Sequence, residues 1–206
     1  MRRYSLARSD GAIWINGPIY PDRVSAAALR RSFLEIDSTG PVRVVVDTPG
    51  GSCAEGLAIY TILRECGRRI EVTIRAAFSM GAIVAAAGHT VAIEATGAIG
   101  LHAAGVAGDH FADAGTDLPH HVTAEQLRRL ARGLWSADAT RADAERVLCL
   151  AATAEAADAT HLDVLSRRTG LLRHELTALR AAETVLTAER AIELRFADCI
   201  IPTLET

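Results

Sequence analysis

Ser79, His102 and the glycine pair Gly50-Gly51 are the residues whose types and spacing offer chemistry. Ser79 stands in Phe78-Ser79-Met80-Gly81, between a strand pattern and an apolar helical run. A helix start leaves backbone N–H groups pointing outward, so a hydroxyl there sits beside ready donors. The ordinary alternative for such a serine is to cap the helix. His102 closes Ile99-Gly100-Leu101-His102, at the end of another strand pattern. Active-site residues of α/β folds gather at strand ends. A neutral imidazole within reach of Ser79 would take its proton and return it to a leaving group. The alternative is a histidine without a catalytic part, and His89, after Gly88, is a weaker rival for the role. Gly50-Gly51 follows a strand and lets the chain turn tightly. The Gly51 and Met80 N–H groups are the expected donors to an oxyanion, and a plain turn is the alternative.

Other chemistries find less support. Pro49-Gly50-Gly51 lacks the glycine and lysine spacing of dinucleotide or phosphate loops. His120 and His121 are adjacent and have no carboxylate-histidine spacing around them, so no metal site is expected. No cofactor is expected either.

The elements that must position these residues alternate between strand and helix patterns. Strands are expected over 12–16, 42–46 and 70–75, with further short ones over 91–93 and 98–99. Val42, Val44, Val45 and Val46 show little alternation, which reads as a strand covered on both faces of a parallel sheet. Helices are expected over 24–36 and 54–65, and from Ser79 to Gly88. The last is built of small residues, which suits close packing. Units this short, alternating in this way, define an α/β architecture. After His102 the composition changes: 103–121 holds three glycines and three histidines and reads as a loop or partly ordered arm. Thr123 and Gln126 have capping-box spacing and open a helix through Leu127, Leu130 and Leu134 to Trp135. A second helix is expected over 141–165, a short one over 175–180, and a last one capped at Thr187. Residues 196–200 are expected to end the fold as a short strand.

The chain has 206 residues, half of them hydrophobic, which suits one domain with a real core. A net charge of −3 gives no electrostatic footprint for nucleic acid. The first ten residues contain no apolar run, so no secretory leader is expected, and no segment has the apolar length of a membrane span. Cys53, Cys66, Cys149 and Cys199 show no paired spacing and fit free thiols in a reducing cytoplasm.

Taken together, these motifs resemble the Clp protease proteolytic subunit family, within the ClpP/crotonase superfamily. The similar pieces are Ile15-Asn16-Gly17-Pro18-Ile19, Asp47-Thr48-Pro49-Gly50-Gly51-Ser52, Gly56-Leu57-Ala58-Ile59-Tyr60, Ser79-Met80-Gly81, Ala87-Gly88 and Ile99-Gly100-Leu101-His102. Looser pieces follow at Arg168-Thr169-Gly170, Thr187-Ala188-Glu189-Arg190-Ala191 and Phe196-Ala197-Asp198. The resemblance implies stacked βαβ units with a projecting helical handle, here residues 122–165, in a single domain over 1–206. It implies a serine peptidase acting on peptides or proteins, with Ser79 as nucleophile, His102 as base, and Gly51 and Met80 as oxyanion donors. It further implies a homo-oligomeric ring that meets an unfoldase ATPase or a paralogous subunit.

The departures bear on activity. The family's triad aspartate falls nine residues after the glycine of Arg168-Thr169-Gly170, which is Leu179 here. Leucine cannot hold a histidine tautomer or stabilise imidazolium. Glu175, Glu183 and Asp198 are the substitutes offered by the sequence. The family's glycine four residues before the nucleophile is Arg75, and its small residue just before the nucleophile is Phe78. The readings are therefore a peptidase with a Ser79–His102 dyad or an atypical triad, a catalytically weak or inactive scaffold subunit, and a crotonase-type acyl-CoA enzyme.

Overall fold

The computed structural model describes residues 6, 10–36, 39–107, 121–135 and 141–203. The elements, in chain order, are β1 (Ile13–Asn16), α1 (Ala26–Ser32), β2 (Val42–Thr48), α2 (Cys53–Glu65), β3 (Ile70–Phe78), α3 (Met80–Ala85), β4 (Thr90–Gly100), β5 (Gly105–Ala107), β6 (His121–Thr123), α4 (Ala124–Trp135), α5 (Arg141–Thr169), α6 (Arg173–Ala181), β7 (Val185–Leu186), α7 (Ala188–Glu193) and β8 (Cys199–Ile201). They form two compact units, Met1–His102 with Val164–Thr206, and Ala103–Asp163.

The first unit is a six-stranded sheet in the order β1-β2-β3-β4, with β7 and β8 both on β4. Strands β1 to β4 are parallel; β8 continues that sense and β7 runs against it. This is the expected α/β architecture of βαβ units. Ile13, Ile15, Val42, Val44, Val46, Ile70, Val72, Ile74, Val91 and Ile93 are all buried and alternate along their strands. The valine run therefore differs from its reading as a strand covered on both faces: Arg43 is exposed and Val45 half-buried. One face of the sheet carries the core, and the other alternates with it as period-two geometry requires.

Helix α3 lies against β2, β3 and β4, and α2 lies against α3. Small residues permit this. A Cβ at Gly81 would come 2.7 Å from Cγ2 of Thr48, and one at Gly56 would come 2.6 Å from Cε of Met80. Helix α1 is shorter than the 24–36 expected. Ser25 caps it, accepting from Ala28 N at 3.2 Å, and Glu55 Oε2 on α2 accepts from Ala26 N at 2.8 Å. Val24 instead bridges Ile19 in the preceding turn.

The two short strands expected over 91–93 and 98–99 are one strand with a break in register. Ile74 pairs with Ile93 and Ala76 with Ala98, so Arg75 faces four residues, 94–97. On its other side β3 shifts against β2 at the same point, where Val46 pairs with Ile74 and Asp47 with Ala76. Glu94 is 2% exposed and its Oε2 lies 3.4 Å from Arg75 Nε. The Arg75 guanidinium also stands over the Trp14 ring, 5.9 Å from its centroid.

In the second unit β5 and β6 form an antiparallel ribbon, so strands occupy both ends of the segment expected as a loop over 103–121. His110 and His120 lie outside the described residues. Thr123 and Gln126 make the reciprocal capping box at α4: Gln126 Oε1 accepts from Thr123 N at 2.8 Å, and Thr123 Oγ1 from Gln126 N at 3.4 Å. Val122, Leu127, Ala131, Val147 and Ala151 form the core of this unit. Helices α4 and α5 occupy the segment expected as a handle.

Candidate active site

Ser79 immediately follows β3 and takes the N-cap position of α3. Its backbone sits at φ 54, ψ −119, a conformation L side chains rarely adopt, and its side chain makes no capping hydrogen bond. The hydroxyl is thus not used in the ordinary structural role. A left-handed, non-glycine residue costs about 1–3 kcal/mol, and such strain clusters at functional sites. A serine on a strained strand-to-helix turn is the geometry that exposes a nucleophile in several hydrolases. Ser79 N donates to Gly100 O at 2.8 Å, which ties the turn to the end of β4.

The Gly50-Gly51 loop reaches this turn from β2. Gly50 has φ 93, and a Cβ there would fall 2.6 Å from both Phe78 O and Ser79 Cβ and 3.0 Å from Met80 N. Only glycine allows the two backbones to approach so closely, and the approach brings Gly51 N and Met80 N into one neighbourhood. Gly51 has φ 143, and its Cβ would fall 2.3 Å from Ile19 O. The loop is pinned from that side too: Ile19 N donates to Gly50 O and Ser52 N to Ile19 O, each at 2.8 Å. Buried Thr48 completes the support. Its Oγ1 donates to Gly17 O at 2.7 Å and accepts from Gly50 N at 3.0 Å.

His102 follows the end of β4. Because Phe78 pairs with Gly100, the chain ends leading to Ser79 and to His102 leave the sheet at the same edge. His102 is half-buried, and its carbonyl accepts from Nε of Arg180 at 3.0 Å. The rival His89 stands at the other end of β3, where its Nδ1 accepts from Ile70 N at 3.0 Å. Eight strand steps, about 26 Å, separate Ile70 from Phe78.

Two of the three residues offered as substitutes for the acid, Asp198 and Glu175, are engaged in other contacts. Asp198 Oδ2 accepts from Val91 N at 2.7 Å, near the start of β4, and Oδ1 pairs with Arg168 at 2.7 Å. Glu175 Oε2 accepts from Leu172 N at 2.8 Å, in the first turn of α6. Glu183 is exposed, in a left-handed turn after that helix. Leu179 is half-buried, and its carbonyl accepts from Thr184 N at 3.1 Å. The bulk of Phe78 is accommodated by Gly100, where a Cβ would come 2.1 Å from Cδ1 of the ring. Sequence reasoning missed Thr48, Gly100, Glu94 and Arg180. The threonine and glycine stand inside motifs already singled out, whereas Glu94 and Arg180 carried no spacing signal.

The parallel sheet, its covering helices and the helical insertion define a ClpP-like α/β protein. A mutant ClpP1 from Listeria monocytogenes has this fold, with a TM-score of 0.70 over 94% of this chain and 93% of that one, at 12% identity. A family model described as Clp protease matches residues 2–132, and the chain belongs to that family. An ATP-dependent Clp protease proteolytic subunit from Streptococcus gordonii is 32% identical over 87 residues, 41% of this chain and 44% of the relative. One from Streptococcus pneumoniae is 31% identical over the same length. The chain thus spans less than half the length of the curated relatives it matches. Membership places it among serine-protease-like proteins at the level of the family.

Proposed function

We propose that this chain is a serine peptidase that cleaves peptide bonds through an acyl-enzyme. Ser79 is the nucleophile, His102 the general base and acid, and the Gly51 and Met80 N–H groups the oxyanion donors. The observation that carries this reading is the backbone of Ser79, held at φ 54 with its side chain making no capping bond. In the first half-reaction His102 accepts the Ser79 proton as Oγ attacks the scissile carbonyl. In this reading two backbone donors hold the oxyanion, and donors oriented in advance avoid reorganisation during the reaction. The leaving amine takes the proton from His102, and water then releases the acyl group by the same steps in reverse order.

The substrate is a peptide or an unfolded protein. The working form is a homo-oligomeric ring in the cytoplasm, with the segment 122–165 as a handle, and an unfoldase ATPase or a paralogous subunit as its partner. Family membership supports the assembly, and Leu179 makes a partner's contribution to activity a natural expectation. A catalytically weak scaffold subunit is the second reading. It is favoured by Leu179 and by the contacts that occupy Asp198 and Glu175 elsewhere.

Intact mass after treatment with a fluorophosphonate, with native mass read in parallel, separates the two. The peptidase reading expects one adduct on wild type, none on Ser79→Ala, and a rate on His102→Ala lower by at least about a hundredfold. An assembled wild-type protein that acquires no adduct overturns it in favour of the scaffold.

A further inference from the structure

Arg180 is a buried cation beside the candidate base. It is 4% exposed, on α6, immediately after Leu179. Arginine is seldom buried unless its guanidinium is engaged, because a charge loses its water on burial. Here Nε donates to the backbone carbonyl of His102 at 3.0 Å, a good distance for a charge-assisted bond. The surrounding segment is stitched to the same short piece of β4. Leu101 N donates to Thr184 O at 2.9 Å, and Thr184 N to Leu179 O at 3.1 Å, which closes the turn that carries Arg180. Val185 pairs with Gly100 and Leu186 with Ile99. Gly100 O in turn accepts from Ser79 N. The stretch 99–102 is therefore held to the serine turn on one side and to the Arg180 segment on the other.

We infer that Arg180 is a positioning residue for His102, clamping the backbone of the histidine from the helix on which Leu179 has displaced the family's acid. The inference rests on the reading of Ser79 and His102 as nucleophile and base. A clamp on the carbonyl fixes the pivot of the imidazole, and so its distance from Ser79. It supplies no carboxylate to the ring, so it restores placement and leaves the stabilisation of imidazolium unrestored. The planar guanidinium suits this task better than an ammonium, because its donors are fixed in one plane.

The test is the rate of fluorophosphonate adduct formation on the full-length protein, for wild type, Arg180→Ala, Arg180→Gln and Arg180→Lys, each alone and with His102→Ala, beside thermal denaturation. The expected result is a rate on Arg180→Ala lower by at least about tenfold, the scale at which a misplaced catalytic group is felt. In the His102→Ala background the same change has no further effect, because residues that act through one another are non-additive. Methylguanidine restores part of the Arg180→Ala rate. Arg180→Gln, which keeps a planar donor, supplies the comparison if the alanine variant does not fold. Equal rates for folded wild type and folded Arg180 variants overturn the inference while leaving Ser79 and His102 in their roles. So does an equal fold-loss with and without His102, which would mark Arg180 as structural. A wild type without adduct overturns the underlying reading and this one with it.

Discussion

The conformation of Ser79 makes a prediction that separates strain from chemistry. At φ 54 and ψ −119 any side chain is strained, so Ser79→Ala removes the nucleophile and keeps the strain. Ser79→Gly removes both. The glycine variant is expected to be more stable than the alanine variant by about 1–2 kcal/mol, after allowance for the unfolded-state entropy that glycine adds. For a chain of this size that is a rise of several degrees in Tm, read by differential scanning calorimetry. Neither variant forms the adduct. Equal stabilities would mean the turn is relaxed and the strain argument for the site fails. The residues themselves were legible in the sequence, because a serine at a strand-helix junction, a glycine pair and a strand-end histidine have recognisable types and places. Their conformations were not. That Ser79 leaves its helix uncapped, and that Gly50 presses against Phe78 and Ser79, depend on three segments meeting in space.

Elements show a similar division. The strand and helix patterns marked the parallel units, since period-two and helical spacing are local properties. The break in register at Arg75 is non-local, because it appears only when β2, β3 and β4 lie side by side. The valines of β2 also look alike in sequence, and only their burial in the folded sheet distinguishes Val44 from Val45. At the break, the Arg75–Glu94 pair joins β3 to the four residues that bulge from β4. Glu94 is buried, Arg75 partly so, and Oε1 of Glu94 is a buried atom without a hydrogen-bond partner among the described residues. Removing one member of such a pair leaves an uncompensated charge and costs about 3–5 kcal/mol when burial is complete. Arg75→Ala is therefore expected to cost about 2–4 kcal/mol in urea denaturation, somewhat less because Arg75 retains access to water. Arg75→Met with Glu94→Leu is expected to cost less than Arg75→Ala alone. If the two single changes add in the double variant, the charges are not coupled and packing alone holds the bulge. Gly100 and Phe78 form a second coupled pair. Gly100→Ala is expected to destabilise by about 1–3 kcal/mol through overpacking, and Phe78→Ala to relieve that cost in the double variant. Equal destabilisation in both backgrounds would mean the ring yields without strain.

At the scale of the whole molecule, the candidate site and the second unit are separable by composition. Ser79, His102, Gly51, Met80 and Arg180 all belong to the first unit. The second unit rests on a small cluster in which Leu127 is fully buried. Truncating a buried leucine to alanine costs about 2–5 kcal/mol, a large share of what a cluster of this size can supply. Leu127→Ala is therefore expected to raise amide hydrogen exchange across α4, β6 and the part of α5 up to Asp163, with β2, β3 and β4 unchanged. Local opening of this kind is ordinary when a chain contains units of unequal stability. The fluorophosphonate adduct supplies the second readout. If the site is complete within the first unit, the adduct forms at the wild-type rate in an Leu127→Ala protein whose native mass is unchanged. If the rate falls at an unchanged native mass, the reading of a site complete within the first unit fails. If the rate and the native mass fall together, it is the assembly that organises Ser79 and His102, as a handle at 122–165 would require.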